Sequence, residues 1–284
     1  MHPRMILNGR LVERSKARSP SVTAATLYGR GVFTTLAVYA ARPFLWDAHW
    51  ARLTEHARRA GVVCDFAGDE VKASLARLIE ANKVSTGRAR VTLLARDAQG
   101  PWWDAKSAGD VSTDLLLMTA DARQVSGDAL SLSVSPYRAN TLSPLAGIKS
   151  VNYLEHLLAW EEARARDFDE AIVLNERGEV MSATRANIFW ATRGTLHTPA
   201  LQTGALAGTT RALVIELAEE LAVPVVEGAY HLHDPGEADE IILTSAGLGV
   251  RPVTTFDFHR YTVSAGSVAV RLAEAFRQLT LNVD

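Results

Sequence analysis

The chain has 284 residues, enough for one large domain or two small ones. Its 30 Lys and Arg against 32 Asp and Glu leave a net charge of −2, which gives no electrostatic reason to expect nucleic acid or an acidic membrane as partner. The single cysteine, Cys64, excludes an internal disulfide and a cysteine-rich metal site, so no metal is expected and a reducing, cytoplasmic setting is. Residues Met1 to Met5 lack the apolar core of a secretory signal, and no apolar run approaches the roughly 20 residues of a membrane span.

In chain order, Met5 to Asn8 reads as a short strand before a turn at Gly9, and Phe33 to Tyr39, rich in β-branched and aromatic residues, as a second strand. Asp47 to Ala60 reads as a helix with Asp47 as N-cap and Gly61 closing it. Asp69 to Asn82 places Val71, Leu75, Leu78 and Ile79 on one helical face. Arg90 to Ala95, Asp114 to Thr119 and Leu130 to Ser135 read as strands, and Gln99 to Gly109 as a loop. After Val125-Ser-Gly127, the spacing predicts a helix over Asn152 to Arg166. A hairpin follows, from Ala171–Leu174 through the turn Glu176-Arg-Gly178 to Glu179–Met181. Asn187–Ala191, Thr195–His197 and Ile241–Thr244 read as strands, and Thr210–Leu221 and Ser264–Leu279 as helices. Hairpins mixed with helices, without a regular βαβ repeat, predict a mixed α/β (α+β) fold.

Three segments carry chemistry. Gly147-Ile-Lys-Ser-Val-Asn-Tyr-Leu154 sets Lys149 among apolar neighbours ahead of a helix. Burial penalises the charged amine, so such a lysine becomes a nucleophile toward an aldehyde and then a proton carrier. At a helix start the dipole field also favours the neutral amine. On spacing alone, a solvated lysine at a helix start is the commoner case. Gly208-Thr-Thr-Arg211 opens another helix with backbone N–H groups and hydroxyls, a cradle for phosphate, although a plain helix start looks the same. Val180 to Trp190 lies between them. A lysine for an aldehyde and a helix N-terminus for a phosphate together suggest pyridoxal 5′-phosphate (PLP).

With Tyr28-Gly-Arg-Gly-Val-Phe33, His49-Trp-Ala-Arg-Leu53, Asn187-Ile-Phe189 followed by Thr198-Pro199, and the lysine and Gly208 segments, the chain resembles the class IV (fold type IV) PLP enzymes. These include branched-chain and D-amino acid aminotransferases and 4-amino-4-deoxychorismate lyases. The order and spacing of the motifs, rather than any one of them, carries the likeness. The resemblance implies two domains, a small N-terminal one over 1–122 and a larger one over 123–284 bearing Lys149, and a homodimer. It assigns Lys149 as the cofactor lysine, Arg52 and the Thr209–Thr210 turn to the phosphate, Leu206 to packing on the ring, and Asn187 to the cofactor site. A guanidinium fork suits a phosphate, and Arg58 and Arg59 suit the surface better. Ser245 and Ala246 match a further phosphate position, Ala246 through its backbone alone. Tyr153 either bonds the cofactor's phenolic oxygen or packs at a helix start. Tyr28, Arg30, Thr34 and Arg90 are expected on the substrate side; Arg30, where relatives have aspartate, either reads a substrate carboxylate or is a surface change.

Ser182 is the main departure. Relatives carry a glutamate five residues before the motif asparagine, where it keeps the pyridine nitrogen protonated. A serine there implies a weaker electron sink, and Glu179 is expected to face away. Phe33-Thr-Thr35, the short Lys149-to-Asn152 spacing and Ala186-Asn-Ile-Phe-Trp190 lean toward the lyases. The expected activity is therefore 4-amino-4-deoxychorismate lyase. An aminotransferase of small amino acids or amines is the alternative, and a PLP-binding paralogue with little catalysis is a third.

Overall fold

The computed structural model describes residues 1–96, 112–123 and 129–281; the loop expected at Gln99–Gly109 and the Val125–Gly127 segment lie outside the described residues. The chain forms two compact units. Of the described residues, the first takes 1–123 and 148–152, and the second takes 129–147 and 153–281. Lys149, expected in the C-terminal domain, therefore groups by its contacts with the N-terminal unit.

In the first unit, β1 (Arg4–Leu7) and β2 (Arg10–Glu13) form a hairpin. Its turn residues Asn8 and Gly9 both have positive φ, 50° and 76°, as a two-residue Asn-Gly turn requires. The short helix α1 (Ala24–Tyr28) is capped by Thr23, whose hydroxyl accepts from the Thr26 N–H at 3.0 Å. Then come β3 (Gly31–Tyr39), β4 (Arg42–Pro43), α2 (Trp46–Arg59), α3 (Gly68–Ala81), β5 (Gly87–Ala95) and β6 (Thr113–Asp121). The strands form one antiparallel sheet in the order β2-β1-β6-β5-β3-β4. Leu53 and Ala57 of α2 and Val71, Leu75, Leu78 and Ile79 of α3 pack with Leu36, Val91 and Leu117 of the sheet. The face predicted for α3 is thus the buried one. The start of α2 differs: Leu45, at φ 54°, is the N-cap without a side-chain bond, and Asp47 sits in the first turn. There it still opposes the positive end of the helix dipole.

The second unit contains β7 (Leu130–Ala139), α4 (Leu154–Ala165), β8 (Glu170–Asn175), β9 (Val180–Ala183), β10 (Asn187–Thr192), β11 (Thr195–Pro199) and α5 (Thr209–Glu220). It continues with β12 (Val225–Gly228), α6 (His233–Gly236), β13 (Glu240–Ser245), β14 (Gly249–Phe256), β15 (His259–Arg260) and α7 (Val268–Leu281). Its mixed sheet runs β12-β11-β10-β13-β14-β7-β8-β9, with β15 on β14. Ile172, Val180, Ile188, Trp190, Ile241 and Leu243 fill the core beneath it. The hairpin predicted around Glu176–Gly178 is the β8–β9 pair. The sequence reading missed β14, whose Pro252 lies opposite Ile242 and breaks the strand signal. One antiparallel and one mixed sheet, flanked by helices, make the mixed α/β architecture expected. Among the described residues no helix is long and apolar enough to cross a membrane.

Candidate active site

Lys149 does not start a helix: α4 begins at Leu154, and the residues before it run alongside β3. The Phe33 N–H donates to the Lys149 carbonyl at 3.0 Å, Ser150 bridges Val32, and the Val151 N–H donates to the Gly31 carbonyl at 3.0 Å. Asn152 Nδ2 donates to the Gly29 carbonyl at 2.8 Å. Gly29 has φ 66°, and a Cβ there would stand 2.2 Å from Asn152 Oδ1, so only glycine fits. The Lys149 amide N–H donates to His56 Nδ1 at 3.0 Å.

The lysine amine lies 4.5 Å from the centre of the Phe33 ring, and the Arg90 guanidinium carbon 3.5 Å from the same centre. Burial first, then the positive charges of Arg52 and Arg90, bring Lys149 down to about 7. The amine is therefore substantially neutral at neutral pH, for reasons of burial and neighbouring charge and not of a helix dipole.

Helix α2 supplies the rest. Arg52 Nη2 donates to Thr34 Oγ1 at 3.0 Å, and Thr34 Oγ1 lies 2.7 Å from His49 Nδ1. Thr34 and His49 are each 1% exposed. Burial, then Arg52 and Lys149, lower His49 to about 3; burial, then Arg52, Arg59 and Lys149, lower His56 to about 4. Both imidazoles are neutral at physiological pH, so the positive charge resides on the arginines. Burial lowers Arg52 only to about 10, which leaves it charged. Arg58 is a surface residue paired with Glu55 at 2.8 Å, as expected. An amine poised to react with a carbonyl, with two guanidiniums acting on it, is a donor set that fits an aldehyde carrying a phosphate.

In the second unit, Asn187 Nδ2 donates to the Leu206 carbonyl at 2.9 Å. A Cβ on Gly208 would stand 2.0 Å from Asn187 Oδ1. The asparagine thus shapes the turn that opens α5, and Thr209 and Thr210 begin that helix with both side chains buried. Such a helix start presents N–H groups and a positive dipole end to an anion. Arg211, next along, is paired with Glu227 and donates to the Pro199 carbonyl at 3.1 Å, which makes it structural. Ser182 lies buried on β9 opposite Val173. Glu179 precedes the strand and is held by Arg177 at 2.7 Å and Asn175 Nδ2 at 2.7 Å. Ser245 caps the turn after β13, its hydroxyl accepting from the Leu248 N–H at 3.3 Å. Tyr153 precedes α4 and stacks on His156, ring centres 4.6 Å apart.

Of the predicted residues, Lys149, Arg52, Thr34 and Arg90 thus gather in the first unit. Asn187, Leu206, Thr209 and Thr210 gather around the α5 turn. Tyr28 is exposed at the end of α1, and Arg30 is partly buried with its carbonyl accepting from the Ala95 N–H at 3.0 Å. Thr34 is enclosed between His49 and Arg52. Sequence reasoning missed the parts played by His49 and His56. Their signal was the spacing 49, 52, 56, which aligns three basic residues along one face of α2.

The two-sheet architecture and the lysine segment laid along β3 fit one class of protein. An amino-transferase class IV family model matches residues 31–256, and the chain belongs to that family. It is 28% identical to the aminodeoxychorismate lyase of Bacillus subtilis, over 98% of this chain and 94% of that protein. It is 27% identical to a putative branched-chain-amino-acid aminotransferase of Methanocaldococcus jannaschii, over 97% of this chain and 96% of that one. Among solved structures, the branched-chain aminotransferase of Escherichia coli superposes with a TM-score of 0.90 at 25% identity, covering 99% of this chain and 95% of that one.

Proposed function

We propose that this chain is a PLP-dependent 4-amino-4-deoxychorismate lyase, splitting aminodeoxychorismate into 4-aminobenzoate and pyruvate for folate synthesis. Ser182 carries the choice within the family: the resemblance aligns this buried serine with the glutamate of relatives, and Glu179 is occupied by Arg177 and Asn175. When bound, PLP supplies an aldehyde for the amine and a ring that withdraws electrons from the substrate carbon. A serine cannot hold that ring nitrogen protonated, so withdrawal is weaker. The lyase reaction tolerates this because aromatisation of the product drives it.

Lys149 would hold the cofactor and, with the substrate amine in its place, would take the proton from the ring carbon that bears nitrogen. The enolpyruvyl C–O bond breaks, and a proton returned to the departing group gives pyruvate. Its value of about 7 suits both halves of that transfer. Arg52 and the N–H groups at Thr209 and Thr210 hold the phosphate. Leu206 packs on the ring, Asn187 fixes the turn, and Tyr153, Arg30, Tyr28, Thr34 and Arg90 complete the proposed site. A homodimer in the cytoplasm, checked by light scattering on the purified chain, completes the reading.

The likeness to branched-chain aminotransferases favours a second reading, amino-group transfer to a 2-oxo acid. The discriminating assay supplies PLP and aminodeoxychorismate and follows pyruvate. Pyruvate and 4-aminobenzoate in equal amounts support the lyase. Amino transfer to a 2-oxo acid without pyruvate overturns it in favour of the second reading.

A further inference from the structure

His56 belongs to none of the motifs that mark the family in this chain, yet it touches the reactive residue directly. His56 is 4% exposed, and its Nδ1 accepts the Lys149 amide N–H at 3.0 Å. The opposite side of the same residue is tied down as well, since the Lys149 carbonyl accepts from the Phe33 N–H at 3.0 Å. The first bond comes from α2 and the second from β3. Together they fix both peptide groups of Lys149, and from there the long flexible side chain reaches over the Phe33 ring.

We propose that His56 is a positioning residue for Lys149: a side-chain clasp that fixes the lysine backbone to the helix bearing Arg52. Arg52 and His56 are four residues apart, one helical turn, so the clasp ties the amine to the same rigid element that carries the phosphate-seeking guanidinium. The reach of the amine is then set by helix geometry and not by a free loop. An imidazole can do this only through an unprotonated Nδ1. Burial and the neighbouring charges of Arg52, Arg59 and Lys149 keep the ring neutral, and Glu55 is the one neighbour acting the other way. Small errors in the placement of a reacting group cost large factors in rate, which is what such a clasp prevents.

The inference rests on Lys149 being the reactive amine, and its test separates the two ideas. His56→Leu removes the acceptor; His56→Asn keeps one, because the asparagine oxygen stands close to where Nδ1 was. In the full chain, hydrogen exchange of the Lys149 amide is expected to rise at least tenfold in the leucine variant and to return to native values in the asparagine variant. With PLP added, the pH midpoint of the visible absorption is expected to move by at least half a unit in the leucine variant and not in the asparagine one. Native exchange and midpoint in His56→Leu would overturn the clasp. If that variant does not fold, His56→Asn decides: protected exchange supports the clasp, and rapid exchange in a folded protein refutes it. A native chain that shows no visible absorption with PLP would sink the cofactor reading alone, since amide exchange is measured without it.

Discussion

The two units treat charge in opposite ways. In the second, the arginines that reach inward carry their own carboxylates: buried Arg211 pairs with Glu227, and partly buried Arg185 with Glu170 at 3.0 Å. What remains around the α5 turn is neutral, made of amide, hydroxyl and backbone donors. In the first, the charges acting on Lys149 are both positive, and two histidines beside them are driven neutral. The second unit offers shape and backbone dipoles, at modest electrostatic cost. The first concentrates unfavourable electrostatics, the usual mark of a site selected for chemistry over stability.

The strongest way to break this contrast is Lys149→Ala. Turnover and the visible absorption band should disappear, and borohydride reduction of the native protein should leave PLP on the Lys149 peptide alone. Label on any other lysine would refute Lys149 as the cofactor residue. Next in size is Arg52→Ala. It deletes a charge-assisted interaction worth roughly 1.5–3 kcal/mol, so PLP affinity should fall on the order of ten- to a hundredfold with the fold intact. An unchanged affinity would shift the phosphate wholly to neutral donors.

The electrostatic burden of the first unit should also appear as a pH effect. His49 and His56 have folded values of about 3 and about 4 against 6.5 for ordinary histidine, so the unfolded chain binds more protons as pH falls below 6.5. Stability is highest above that value and declines toward 4. At pH 5 each histidine accounts for up to roughly 2 kcal/mol of lost stability. Urea midpoints at pH 7 and pH 5 should therefore differ clearly in the native chain. The gap should shrink in a His49→Asn, His56→Asn double variant, and an equal gap would mean that the histidines are not its source.

The smallest effect expected is that of Ser182→Glu on the lyase reaction. Amino transfer from an amino donor should quicken on the order of tenfold, about 1.4 kcal/mol of barrier, while pyruvate release changes less. Equal responses would refute the assignment of Ser182 to the ring nitrogen.

Much of this was legible in the sequence. The α3 face, the β8–β9 hairpin and the Gly208 turn follow from periodicity and turn chemistry, which are local. The lysine was legible as a residue but not in its setting. The apolar neighbours pointed to the burial that lowers it most, but the added helix-start field is absent, and the further push comes from Arg52 and Arg90, which lie far from it in sequence. That His49 and Arg52 close around Thr34 could not be read from motif order. His56 was invisible for the same reason: its partner is 93 residues away.

The segment Ile148–Asn152 has a consequence for how such a chain can be divided. These five residues are threaded out of the second unit's stretch of sequence and counted, by contact, in the first. A fragment ending at residue 123 would keep Arg52, His49 and His56 but lack Lys149. The complementary fragment would own Lys149 without the histidine that accepts its amide N–H. Recombination at the apparent linker would thus part the two sides of that hydrogen bond, and the proposed chemistry would be heritable only as the whole chain.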